Sequence, residues 1–217
     1  MFTGIIEEVG FIQELRFKRN SATITVSAKE IPAGLKIGDS ISVNGVCLTS
    51  TGIGDGSFTC DISSETLERS SFKQARQGMR INLERALMLN DRLGGHFVLG
   101  HVDGVGQLAA KILQGEGAEM SFAYPPTLER YLVYKGSIAV NGISLTISSL
   151  GKGSFSVAVI PHTYRSTNLS QLMIGDAVNL EVDVLGRYFE RFFQLGVIQD
   201  SRAESRLTEN YLKSQGF

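Results

Sequence analysis

Cys47, His101 and Ser144 carry the side chains best suited to attack a carbon or to pass a proton. His96 and His101 share the segment GGHFVLGHVDG, five residues apart. On a strand that spacing puts the two rings on opposite faces, and on a helix about 140° apart, so it does not make a shared metal site. His162 has no second ligand near it in sequence, and Cys47 and Cys60 form no Cys-x-x-Cys pair, so no metal site is predicted. A lone imidazole, with an unperturbed pKa near 6.5, suits general acid–base work at neutral pH. A free thiol titrates near 8.5 and has no obvious base beside it here; its plainest role is that of a small buried hydrophobe. No Gly-x-Gly-x-x-Gly, P-loop or Gly-x-Ser-x-Gly element occurs, which disfavours nucleotide-dependent and serine-hydrolase chemistry.

These candidates gain meaning from an internal repeat. GDSISVNGVCLT at 38–49 matches KGSIAVNGISLT at 135–146, and an offset of 97 pairs Asn44 with Asn141, Thr66 with Thr163, Asn82 with Asn179 and Glu84 with Glu181. At the two starts, GIIEEVG matches GHVDGVG with an offset of 96. The chain is therefore a tandem duplication of two units near 90 residues, too few and too long for a solenoid. Each unit is long enough to be a small domain, and two similar domains can hold two similar ligands. Positions that break the repeat are the sharper functional candidates: Cys47 faces Ser144, Ile5 faces His101, and Ala86 faces Asp183. Thr49 and Thr146 follow Cys47 and Ser144 by two residues, which puts each pair on one strand face. The shared residues read differently. Asn-Gly at 44–45 and 141–142 is a hairpin turn first, and Asn82/Asn179 and Thr66/Thr163 serve structure or a contact made in both copies. Glu84 and Glu181 alternate with apolar neighbours and are expected on a solvated face.

The elements that must position these residues are short strands. Gly makes up 24 of 217 residues, about 11% against a usual share of roughly 7%, as in turn-rich all-β proteins. SATITVSA alternates with β-branched residues, Asn-Gly between β-rich flanks is the strongest short hairpin signal, and GSFTCDIS and GSFSVAVI read as matching strands. The opening MFTGIIEEVG also reads as a strand. About six strands per copy predict an all-β fold of two tandem six-stranded antiparallel Greek-key barrels, over 1–96 and 97–186, followed by a helical tail at 187–217. In that tail Tyr188, Phe189, Phe192 and Phe193 fall on one helical face. They need a partner surface, either their own barrels or helices of other subunits. A net charge of −1 excludes the basic footprint of a nucleic-acid binder. No apolar run reaches about 18 residues, so no membrane span is expected. The start lacks the marks of a signal peptide, and with two free thiols this predicts a cytoplasmic protein.

The segments MFTGIIEE, VNGVCLT, VNGISLT, GGHFVLGHVDG and PHT…TNL, in this order on a duplicated frame, resemble the riboflavin synthases of the lumazine-binding family over essentially the whole chain. The resemblance implies dismutation of two molecules of 6,7-dimethyl-8-ribityllumazine. One gives a four-carbon unit to the other, yielding riboflavin and 5-amino-6-ribitylaminouracil, with no cofactor and no metal. It implies a homotrimer held by the tail, with the active site between the first barrel of one subunit and the second barrel of the next. It leaves open a further association with lumazine synthase. Carried over by motif, Cys47 and His101 serve the ligand of the first barrel, and Ser144, Thr146 and Asp183 that of the second. Substrate contacts fall on Gly4, Ile5, Ile6, Cys47, Leu48, Thr49, Asp61, Ile62, Ser63, Ser64, Glu65 and Thr66. In the second copy they fall on Gly100, His101, Val102, Lys135, Ser144, Leu145, Thr146, Ala158, Val159, Ile160, Pro161, His162 and Thr163. The rims group as Gly4–Ile6 with Asp61–Thr66 on one barrel, and Gly100–Val102 with Lys135 and Ala158–Thr163 on the other. Asn141 stands where some family members have Asp. The rival reading is a fluorescent ligand carrier of the same family, disfavoured because the polar set is complete here; a flavin-reductase barrel lacks chain for its second domain.

Overall fold

The computed structural model describes residues 1–19, 21–196 and 209–215. The first copy contributes β1 (Glu8–Lys18), β2 (Ser21–Ser27), β3 (Ser40–Val43), β4 (Val46–Gly54), β5 (Ser57–Ser63) and β6 (Arg80–Arg85). The second contributes β7 (Gly104–Gln114), β8 (Gly117–Ala123), β9 (Ser137–Val140), β10 (Ile143–Gly151), β11 (Ser154–Val159) and β12 (Ala177–Val182). Each set closes into a barrel with the strand order β1-β2-β5-β4-β3-β6 or its equivalent, the Greek-key arrangement. The pairings among the described residues are antiparallel, and each ring of six strands closes on itself.

Alternation fills each barrel. Ala22, Ile24 and Val26 point inward from β2 and meet Phe58, Cys60 and Ile62 of β5. Met120, Phe122, Phe155 and Val157 do the same in the second copy. Cys60 is fully buried, and burial pushes its thiol up to about 12. A third cluster of Phe2, Val98 and Ala139 lies between the barrels, with Cys47 and Ala86 packed on it.

The two Asn-Gly hairpins meet back to back. Asn44, Gly45, Asn141 and Gly142 all have positive φ, as a type I′ turn requires. A Cβ added to Gly45 would sit 2.5 Å from the Gly142 amide nitrogen, so only glycine lets the turns touch. Around this pseudo-twofold axis the buried asparagines satisfy one another. Asn82 Nδ2 donates to the Asn141 carbonyl (3.0 Å), and Asn179 Nδ2 donates to the Asn44 carbonyl (2.8 Å). Their Oδ1 atoms accept from the Asn168 and Ser71 amides at 2.8 and 2.7 Å. The duplication of Asn82 and Asn179 is thus a structural one.

Two expectations are corrected. The first strand starts at Glu8; before it, Phe2 makes one isolated bridge to Val98, and the chain turns at Gly4 (φ 77°). Glu84 and Glu181 are 4% and 5% exposed rather than solvated. Both faces of β6 and β12 are covered, one by the barrel core and the other, at Glu84 and Glu181, by the segment that leads into each copy.

The tail begins with a helix over Val184–Gln194, in agreement with the spacing of its aromatic residues. A second helix covers Glu209–Ser214. Residues 197–208 of the expected helical tail lie outside the described residues. Among the described residues no helix is long and apolar enough to cross a membrane.

Candidate functional site

The register of the barrels opens one slot in each. The β4–β5 ladder ends at Ser50–Cys60, so Cys47–Thr49 and Asp61–Ser63 are not paired with each other. Those two stretches bond instead to β3 and β2 on their outer sides. The helix Ser64–Arg69 follows at once, started by Ser63, whose Oγ accepts the Thr66 amide at 3.1 Å. In the second copy β10–β11 pairing ends at Ile147–Val157, leaving Ser144–Thr146 and Ala158–Ile160 apart. Pro161 at the first position starts the matching helix Pro161–Ser166.

A leader segment borders each slot, and the leaders are exchanged. Gly4 of the first copy lies on Ser144 of the second: its carbonyl accepts the Ser144 amide at 2.8 Å. Gly100 of the second copy lies on Cys47 of the first, accepting its amide at 2.9 Å. Ile6 packs on the core of the second barrel, and Val102 on that of the first. The expected rim grouping is therefore corrected. Gly4, Ile5 and Ile6 go with Ser144–Thr146 and Ala158–Thr163; Gly100, His101 and Val102 go with Cys47–Thr49 and Asp61–Thr66. Repeat alignment could not show this, because it gives each leader to its own copy and is blind to where the leader docks.

The chemistry of the two slots differs. In the first, Cys47 is half-buried, and His101 and Thr49 are exposed. In the second, Ser144 is half-buried and its Oγ lies 2.7 Å from Nδ1 of His96, close enough for one proton to be shared. Burial lowers the pKa of His96, while the nearby Asp183 carboxylate opposes that shift. The Nε2 atom of His96 is buried with no hydrogen-bond partner among the described residues. Sequence spacing offers His96 only as a metal ligand; a serine 48 positions away gives no local signal. Thr146 is exposed, and Lys135 stands in the left-handed region (φ 65°) with its amide on the Ile147 carbonyl at 2.9 Å. A cleft of about 870 Å³ runs along loop 34–40 and linker 86–94 and holds only Ile5 of the expected set.

The Lumazine binding domain model matches residues 3–86 and 99–183, one match per barrel. A riboflavin synthase of Actinobacillus pleuropneumoniae is 42% identical over 217 residues, covering all of both chains. The riboflavin synthase of Bacillus subtilis is 38% identical over the same span. The chain belongs to the riboflavin synthase family. Its fold also matches the structure of LumP complexed with riboflavin at a TM-score of 0.79 and 23% identity, covering 84% of this chain and 99% of that one. That likeness concerns the fold alone.

Within this family frame the buried glutamates have a measurable consequence. Burial pushes the Glu181 carboxyl from 4.5 up to about 7, although three backbone amides favour its ionised form. The group binds its proton more tightly folded than unfolded, so its stabilising effect is complete below about pH 4.5 and is lost as pH rises toward 7. Over that window the unfolding free energy should fall by an amount on the order of 3 kcal/mol attributable to this group. Glu181→Gln should remove this part of the slope. Denaturant midpoints of both proteins across that range check it, and parallel curves would refute it.

Proposed function

We propose that this chain catalyses the dismutation of 6,7-dimethyl-8-ribityllumazine to riboflavin and 5-amino-6-ribitylaminouracil, as an enzyme of the riboflavin synthase family. The observation that carries the reading is a pair of equivalent slots on one duplicated frame with unlike polar groups: Cys47 and His101 at one, Ser144, His96, Thr146 and Asp183 at the other. The reaction needs two copies of one molecule, one to give a four-carbon unit and one to receive it. Similar slots explain how both are recognised; different side chains explain how they are treated unequally.

The chemistry asks little of the protein beyond holding and proton transfer. The 7-methyl group of the lumazine is acidic because its anion delocalises into the ring, so no strong base is needed. Holding two rings face to face can supply much of the rate, since effective molarities of about 10⁵–10⁸ M are reached by well-held partners. Ser144 and Thr146 polarise one ring, His101 carries protons, and Cys47 adds to or hydrogen-bonds the other. The slots are open on the chain surface, which supports a site completed by a second subunit: the first barrel of one against the second barrel of the next. Tyr188, Phe189, Phe192 and Phe193 are all exposed on the Val184–Gln194 helix, which supports a homotrimer held through it. The two free cysteines support a cytoplasmic location.

The purified protein, mixed with 6,7-dimethyl-8-ribityllumazine and a chelator, should form one riboflavin per two lumazines consumed, followed by visible absorbance. Tight fluorescent binding without turnover would identify a carrier instead. Among variants, Cys47→Ser with full activity rules out obligatory covalent attack, and His101→Gln should lower turnover by roughly 10²-fold if it carries protons.

A further inference from the structure

Both leaders present a run of backbone amides to a single buried carboxylate. Glu181, on β12, accepts the amides of Leu99 (2.7 Å), Gly100 (2.9 Å) and His101 (3.1 Å). Glu84, on β6, accepts the Thr3 amide (2.6 Å), the Thr3 hydroxyl (2.7 Å) and the Gly4 amide (3.0 Å). The kink at Gly100 and Gly4 turns successive amides toward one point, a concavity that takes an anion. A neutral carbonyl or amide has too few lone pairs to fill it, whereas a carboxylate has about four acceptor sites. The far side of each kinked glycine then bonds to a slot residue of the other barrel, Gly100 to Cys47 and Gly4 to Ser144, both through the glycine carbonyl. Two continuous chains result: Glu181 to Gly100 to Cys47, and Glu84 to Gly4 to Ser144.

We propose that Glu181 and Glu84 are positioning residues that act crosswise, each built into one barrel and setting the geometry of the slot on the other. The arrangement is not fully symmetric. Glu181 also holds the amide of His101, while the matching amide of Ile5 donates to Thr3 Oγ1 at 3.3 Å. Glu181 therefore governs both Cys47, on the other barrel, and His101, which the leader of its own copy carries to that slot. The consequence for turnover rests on the dismutation reading; the consequence for slot geometry does not.

Cys47 provides a reporter free of that reading, because Cys60 is fully buried and silent toward a mild alkylating agent. In native protein at mildly alkaline pH, Glu181→Gln should raise the iodoacetamide labelling rate of Cys47 about tenfold, and Glu84→Gln should leave it at the wild-type value. Amide hydrogen exchange should quicken by a similar factor, about tenfold, at 99–101 in the first variant and at 3–4 in the second. If Glu181→Gln does not fold, Glu181→Asp keeps the charge one methylene short and should show the same pattern at smaller amplitude. Equal effects of both glutamates on Cys47, or none from either, would overturn the crosswise assignment. Wild-type turnover in variants whose leaders have loosened would overturn the positioning role. A wild-type protein that makes no riboflavin but keeps the labelling pattern would remove the dismutation reading and leave the clamps standing.

Discussion

Gly45→Ala should cost the folded protein about 2–5 kcal/mol, enough to shift its denaturant midpoint far from wild type. Two effects add. An alanine held at φ 76° pays the left-handed penalty, and its methyl would sit 2.5 Å from the Gly142 nitrogen and 3.0 Å from its Cα. Neither obstacle is a side chain that can swing away. Relief would need the two hairpins to separate, which would pull apart the bonds from Asn179 to the Asn44 carbonyl and from Asn82 to the Asn141 carbonyl. Gly175→Ala provides the control. It has φ 94° with nothing within 4 Å of the added atom, so it should lose only the backbone penalty of about 1–2 kcal/mol. Similar urea midpoints for the two variants would refute the claim that contact across the axis is what glycine permits.

Gly100→Ala should instead act on turnover. An added Cβ would meet the Cys47 nitrogen and Cβ at 2.6 Å, and the residue is held at φ 78°. The leader has to retreat from β4, carrying the adjacent His101 with it. A misplacement near 1 Å at a reacting site costs about 10²-fold in rate, and that is the expected loss in riboflavin formation. The damage should concentrate on the slot that holds Cys47, so Cys47 labelling should change while His96–Ser144 geometry persists. Gly4→Ala should do the reverse, since its Cβ would meet the Ser144 Cβ at 2.6 Å. Near-normal turnover in both variants would mean that the leaders are not part of the active surface.

What could be read from sequence follows the reach of each interaction. The Asn-Gly turns were legible because a type I′ hairpin demands positive φ from two adjacent residues, a wholly local requirement. The barrels were legible because alternation and the repeat fix strand after strand. Glu84 and Glu181 were misread because alternation distinguishes two faces of a strand but cannot tell that a remote segment covers the outer one. The exchanged leaders were invisible for the same reason: Gly4 meets Ser144 across more than a full copy's length, and Gly100 meets Cys47 across more than half of one. His96 has no local partner to reveal it, and only folding brings it to Ser144.

The back-to-back turns carry a consequence for how such a protein can change over time. Around the axis, a residue of one copy abuts its own counterpart, as Gly45 abuts Gly142, so a change on one side is felt at once on the other. Drift there is jointly constrained, and the two halves still match: Asn44 with Asn141, Gly45 with Gly142, Asn82 with Asn179. In the slots each residue meets the other copy's leader rather than its own counterpart, and there positions have parted, Cys47 from Ser144 and Ile5 from His101. A dimer of one unfused copy would be bound to identical pockets by its symmetry. Joining two copies in one polypeptide lifts that bond and lets one frame offer donor and acceptor molecules unequal surroundings.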